Sequence, residues 1–233
     1  MNRQTVQART VRAGSSTEQT VQAEGRQLIL DAAARLFREQ GYAATSLREV
    51  ARECGMKAGS LYYHFEAKDD IVSEVLRLGV ERVAEEVRRA VMSLPPDADT
   101  DLVMYTAIHA HLSAFLDLQD YTSANVRIFG QVPQAIRDKH IPTRDAYERY
   151  WHKLLQRCAK EGNFEVSRDL RLSRLFLINA LNGSLEWYRS GTASIEMLAR
   201  ELTDIFLYGL NGSAERSAKS TRRSPNRKVG AKK

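Results

Sequence analysis

Few residues of this 233-residue chain could carry acid–base or metal chemistry: it holds five histidines and two cysteines. His109 and His111 stand two apart, so on a helix they point about 200° from each other and cannot grip one metal together. His140 and His152 have no Asp, Glu or Cys companions at a recognisable ligand spacing, and no metal site is predicted. Cys54 and Cys158 form no CxxC, which excludes a disulfide framework or a four-cysteine zinc site. The sequence contains no GxSxG, no HExxH and no phosphate-cradling P-loop. Neither an enzyme nor a cofactor is expected.

A different chemistry is laid out between Thr45 and Lys68, TSLREVARECGMKAGSLYYHFEAK. Lys57, Ser60, Tyr62, Tyr63, His64 and Lys68 fall within twelve residues of it. Two short helices joined by a glycine turn would present them. Ser46-Leu-Arg-Glu49 reads as a capping box opening the first, to end at Cys54, and Gly55 permits the turn. The second is predicted from about Ala58 to Phe65. Ala51 is small where the two must cross, and Val50, Met56 and Leu61 are apolar where they must be pinned. That layout is a helix-turn-helix, although a purely structural helical hairpin satisfies the same spacing.

The elements around it are helical. Ile29, Ala32, Ala33, Leu36 and Phe37 recur on one face from Gly25 to Gln40, and Gly41 marks the stop. A long helix follows from Lys68 to Val91, with Asp69 and Asp70 in its first turn, where the helix dipole favours acids. Further helices are expected near 101–117, 121–130, 143–161, 168–189 and 194–210, with Pro142 suited to a first turn. No alternating run of strand length competes, so the fold class is all-α.

The run GRQLILDAAARLFREQGYAATSLREVARECGMKAGSLYYHFEAKDDIVSEVL resembles the DNA-binding domain of the TetR family of bacterial transcriptional repressors. The likeness rests on Ala33-x-x-Leu36-Phe37, Gly41-Tyr42, Thr45-Ser46, Gly55 and Leu61-Tyr62-Tyr63-His64-Phe65-x-x-Lys68. It implies a three-helix DNA-binding domain over 23–69, joined to a larger helical ligand-binding and dimerisation domain over 70–212. It places Ser46 toward a phosphate and Arg48 toward a phosphate or base edge. Lys57, Ala58, Ser60 and Tyr62 would enter the major groove, with Ala58 suited to a thymine methyl, while Tyr63, His64 and Lys68 would hold phosphates. His64 has a second, structural reading as a half-buried cap partner.

The resemblance also implies a homodimer on a near-palindromic operator in double-stranded DNA, formed through the last two long helices. Leu198, Leu202, Ile205, Phe206 and Leu210 make one apolar stripe there, and Leu175, Phe176, Leu185 and Tyr188 a second; Leu175, Leu185, Leu198, Leu202 and Phe206 are the interface candidates. A small-molecule effector would occupy the larger domain. Tyr105, His109, Phe129, Trp151, Asn179, Asn182 and Trp187 are the pocket candidates, the two asparagines because a buried amide must find a partner. Arg127 and Arg137 could face an anionic head group. The LNGSLEWYRSG block is similar to members that sense acyl-coenzyme A thioesters of lipid, steroid or aromatic catabolism. A drug-responsive repressor of an efflux pump is the neighbouring reading, and an architectural DNA binder the reading from another class.

Charge is concentrated at one end. Residues 213–233 carry eight Lys and Arg against Glu215, a net of +7, so the whole-chain +6 leaves −1 for residues 1–212. That basic tail and the Gln-, Ser- and Thr-rich arm 1–22 are both expected to lack fixed structure. The tail suits a salt-sensitive tether to DNA or a solubilising end. With no apolar signal block and no membrane-length apolar run, a cytoplasmic protein with no membrane partner is expected.

Overall fold

The computed structural model describes residues 4–161, 169–189, 191 and 193–209, with side chains from Thr20 onward. The expected basic tail lies outside the described residues, as does Leu210. Nine helices account for all regular structure among the described residues: α1 (Gln4–Ala44), α2 (Leu47–Glu53), α3 (Ala58–Leu61), α4 (Lys68–Met92), α5 (Thr100–Asp117), α6 (Gln119–Ile128), α7 (Gln134–Lys160), α8 (Leu170–Trp187) and α9 (Ile195–Tyr208). No described helix is long and apolar enough to cross a membrane.

Three departures from the sequence reading have local causes. Helix α1 starts at Gln4, so the backbone of the arm predicted to lack order is helical. No proline interrupts it, and a helix propagates cheaply from turns already formed. Helix α3 closes at Leu61 rather than Phe65, and the chain goes on through tighter turns. There Tyr63 N–H donates to Ser60 O and His64 N–H to Leu61 O. Helix α7 begins at Gln134 and runs through Pro142, so that proline lies inside the helix instead of opening it. Gly41 breaks α1 as expected, at φ 83°, a conformation that favours glycine.

The chain forms two compact units. Among the described residues, the first comprises those within 4–84 and 114–147 and the second those within 85–113 and 148–209, so α4, α5 and α7 each contribute to both. In the first unit, one apolar core joins Ile29, Ala33 and Phe37 of α1, Val50 and Ala51 of α2, and Leu61 of α3. It continues through Ile71 and Val75 of α4 into Tyr121, Ala124 and Ile128 of α6. The boundary expected at 69/70 therefore falls inside this core, which runs without a break from Phe65 to Ile71 and Val72 and is closed by α6.

Polar contacts fix the same helices. The Tyr121 hydroxyl donates to Asp31, Gln27 donates to both, and Arg82 donates to Gln27 while lying 5.0 Å over the Tyr121 ring. Asn125 donates to the Leu76 carbonyl at 2.6 Å. This crossing of α4 and α6 depends on Gly79, where a Cβ would stand 2.7 Å from Asn125 Nδ2 and 2.8 Å from the Tyr121 carbonyl oxygen.

The second unit buries Met104, Ile108, Leu112, Trp151, Leu155, Leu177, Leu181 and Leu207. His111 is buried too, edge-on to Trp151 at 6.0 Å and hydrogen-bonded to Asn182. Burial disfavours the charged ring, and holds the His111 pKa at about 3, so the ring is neutral. The Tyr208 hydroxyl donates to Asp101, and the Arg157 guanidinium to the Ala98 carbonyl at 2.7 Å.

Candidate nucleic-acid interface

The interface begins with α2. Ser46 Oγ accepts from Glu49 N–H at 3.3 Å, and the Glu49 carboxylate accepts from Ser46 N–H at 2.8 Å. Together these form a complete capping box. The Ser46 hydroxyl and then the Ser46 backbone N–H, both donating to the Glu49 carboxylate, hold that carboxyl below the usual range. The Ser46 hydroxyl also donates to the same carboxylate at 2.8 Å, so a phosphate would have to displace Glu49 to receive it. Met56 N–H donates to the Ala51 carbonyl at 2.8 Å across the turn, and Gly55 sits at φ 69°. Leu61 is fully buried beneath α3 and locks it to Val50 and Ala51.

With Leu61 turned inward, the opposite side of α3 faces solvent. Lys57, Ala58, Gly59 and Ser60 are all exposed, as is Arg48 on α2. Tyr62 and Tyr63 are 57% and 73% exposed. Both rings are therefore open to contact from outside the chain. Lys57, Ala58, Ser60 and Tyr62 thus share one accessible surface, as a helix entering the major groove requires.

His64 and Lys68 are more deeply engaged than the sequence implies. His64 is half-buried, edge-on to Tyr63 at 5.3 Å, with its Nδ1 buried and unpartnered. A Cβ on Gly25 would come within 2.9 Å of its ring, so glycine lets the middle of α1 pass close by there. Lys68 donates to the Tyr42 carbonyl and lies 4.0 Å over the Tyr42 ring. Burial weakens the hold of Lys68 on its proton, because the charged form loses solvation.

Tyr42, a mark of the resemblance with no role expected of it, is a junction. Its N–H donates to Gln131 at 3.1 Å, its carbonyl accepts from Lys68, and its hydroxyl donates to Asp69 at 2.7 Å. Burial and the Asp69 carboxylate push its pKa up to about 12. Arg38, also unforeseen, pairs with Asp120 at 3.0 Å, and Arg127 donates to the Arg38 carbonyl. Arg127 and Arg137 are thus committed to the chain's own atoms, Arg137 donating to Val132 and Gln134. The sequence signal for the junction is weak: a tyrosine after a helix-stopping glycine suits any core.

A cleft of about 500 Å³ in the same unit is lined by Arg26, His64, Glu66, Asp70, Glu74, Lys139 and His140, among others. Arg77, also in its wall, pairs with Glu74 at 2.8 Å, and Arg26 stands 3.8 Å from Glu74 and over the Phe65 ring. Among the described residues, no group of three His, Cys, Asp or Glu side chains is placed to hold a metal ion.

The pocket candidates divide. Phe129 belongs to the first unit, against His140 and under Arg144. Tyr105, His109, Trp151 and Asn182 belong to the second: Arg200 lies over Tyr105, His109 stands 3.6 Å from Glu196, and Asn182 is the partner of His111. Asn179 is exposed and donates to the Leu175 carbonyl of its own helix, so its amide is satisfied without a ligand. Trp187 is 57% exposed and joins Leu172, Leu175 and Phe176 in an open apolar stripe on α8. Leu185, Leu198, Leu202 and Phe206 are half-buried.

Comparison with known proteins assigns the chain. Residues 29–75 match the family described as bacterial regulatory proteins, tetR family, and residues 101–210 match the tetracyclin repressor-like C-terminal domain. The chain is 31% identical over 190 residues to the HTH-type transcriptional repressor KstR2 of Rhodococcus jostii, covering 78% of this chain and 89% of that protein. The KstR2 of Mycobacterium tuberculosis is 29% identical over 188 residues, covering 78% and 90%. Among solved structures, the TetR family regulator PfmR of Thermus thermophilus superposes with a TM-score of 0.69 at 28% identity, covering 78% of this chain and 98% of that one. The structure of the ketosteroid transcriptional regulator KstR2 of Mycobacterium tuberculosis gives 0.69 at 25%, covering 79% and 93%. The chain belongs to the TetR family of bacterial transcriptional regulators, and it is a DNA-binding repressor of that type rather than an enzyme.

Proposed function

We propose that the chain acts as a homodimer on a near-palindromic operator and leaves it when a small molecule binds the larger helical domain, the effector being an acyl-coenzyme A thioester of lipid or steroid catabolism. The exposed surface formed by Lys57, Ala58, Ser60 and Tyr62 carries the DNA half of this reading. Arg48 reads or anchors beside them, and Tyr63 holds a phosphate; His64 and Lys68, braced by their own chain, fix register. One such surface reads only a few base pairs, so two copies would set recognition helices about 34–36 Å apart.

The second copy would cover the α8 stripe of Leu172, Phe176 and Trp187, an apolar face that a lone chain leaves wet. Helix α4 contributes to both compact units, and Lys68 at its start grips Tyr42. An effector that shifts α4 would therefore disturb the helix-turn-helix, and by linkage DNA would weaken effector binding equally. The steroid side of this reading is supported by the KstR2 relatives, one of which is a ketosteroid transcriptional regulator; the thioester rests on the likeness of the LNGSLEWYRSG block.

The test is operator release. DNA from upstream of the protein's own gene is bound and titrated with acyl-coenzyme A thioesters, their free acids and cationic dyes. Release by a thioester and not by its acid is the expected result; release by dyes alone would transfer the protein to the guarding of an efflux pump. Tyr62→Ala should cost specific affinity roughly a hundredfold with fold and dimer intact. Unchanged affinity in that variant would show that another surface meets the operator.

A further inference from the structure

The cleft of about 500 Å³ in the first unit has the size of a small-molecule site but not the apolar lining usual for one. Three cations, three carboxylates, two histidines and two hydroxyls surround it, and Phe65 is the single apolar side chain in its wall. Arg26 already lies 4.1 Å over the Phe65 ring. Whatever enters must therefore be held by charge and hydrogen bonds.

Some of these groups satisfy one another. Arg77 pairs with Glu74 at 2.8 Å and with Glu81, and Arg26 donates to the His64 carbonyl at 3.1 Å and stands 3.8 Å from Glu74. Others are uncommitted. The Glu66 carboxylate and the Lys139 ammonium form no hydrogen bond or ion pair among the described residues, and Asp70 commits one oxygen to the Ala67 N–H at 3.0 Å.

His140 decides what the site would accept, because it lines the cleft while only 4% exposed. Asn125 Nδ2 donates to the Leu76 carbonyl at 2.6 Å, which leaves Asn125 Oδ1 toward His140 Nε2 at 3.4 Å. An amide oxygen can only accept, so Nε2 carries the ring hydrogen. Burial keeps the ring neutral. Nδ1 is then a lone-pair acceptor with no hydrogen bond among the described residues, and a buried acceptor is costly to leave unmade.

The uncommitted set is thus two carboxylates and a ring nitrogen, which call for N–H donors, and one ammonium, which calls for an anion. We infer that the cleft is a further small-molecule site that takes a zwitterionic amino acid, its ammonium held by Glu66, Asp70 and His140 Nδ1 and its carboxylate by Lys139. None of the effector-pocket candidates lines this cleft, so the site is additional to the one proposed above.

Equilibrium dialysis of the full-length protein against each of the protein amino acids tests this. At least one should bind at millimolar concentration or below. Glu66→Gln and Lys139→Ala, both at exposed positions, should each weaken it roughly tenfold, as the loss of a charge-assisted bond requires. Lys153→Ala, in the second unit, should bind as wild type does. With the wild-type protein, the amine lacking the carboxylate and the acid lacking the amine should each bind at least roughly tenfold more weakly than the parent amino acid. No binding by any amino acid, wild-type affinity in Glu66→Gln or Lys139→Ala, an equal loss in Lys153→Ala, or an analogue with one charge binding as tightly as its parent would each overturn the inference.

Discussion

Two stretches of the chain hold aromatic rings out to solvent, in different company. Beside α3, Tyr62 and Tyr63 end in hydroxyls and stand among Lys57, Ser60 and Arg48. On α8, Phe176 is 71% exposed beside Leu172 and Leu175, with Trp187 further along. Both surfaces are unfinished, yet the first offers donors and positive charge to a polyanion and the second offers oil to oil. The chemistry surrounding an exposed aromatic thus separates a nucleic-acid partner from a protein partner before either is seen.

The sharpest way to break this contrast is to place charge on the oily face. Phe176→Arg should raise the dimer dissociation constant by about 30-fold or more, since buried aromatics at interface centres are worth ~2 kcal/mol or above. Sedimentation equilibrium would measure it, and operator affinity should fall with it because two linked half-sites become one. A dimer as tight as wild type would show that α8 is not the meeting face.

The next effect concerns what each unit buries. His140 in the first unit and His111 in the second are held neutral, with pKa values of about 4 and about 3, both chiefly by burial. An unfolded histidine takes its proton near pH 6.5, so below that value the unfolded chain binds protons that the folded chain refuses, and stability falls with pH. Between pH 7 and pH 5 each ring should cost about 2 kcal/mol. Urea midpoints at the two pH values would show it, and His111→Asn should abolish about half of the difference; an equal loss in the variant would mean that other groups drive it.

The smallest effect tests the scaffold of the DNA-facing side. Ser46→Ala removes the capping box and should lower stability by about 1 kcal/mol, read from the urea midpoint at pH 7. No change would show that the Glu49 contacts in α2 are decoration.

How far each feature can be read from sequence follows from how local its cause is. The α2 cap, the Gly41 break and the exposed row on α3 depend on residues a few positions apart, and the spacing reveals them. The α1–α6 core is out of reach, because Tyr121 meets Asp31 across ninety residues and nothing in either neighbourhood announces the other. Asn179 misleads for the opposite reason: an amide in an oily helix implies a buried partner only if that side of the helix is buried, and it is not. Pro142 fits the rule for helix starts, and α7 simply continues through it.

Gly79 has a consequence for how such a chain can drift through sequence space. Its forbidden neighbour is partly backbone, the Tyr121 carbonyl, so trimming Asn125 would not make room for a side chain. No compensating point mutation opposite it is available. Descendants of this sequence can abandon the glycine only by moving α6 as a body, and residue 79 should behave as an evolutionary ratchet that holds the α4–α6 spacing while the surfaces around it diversify.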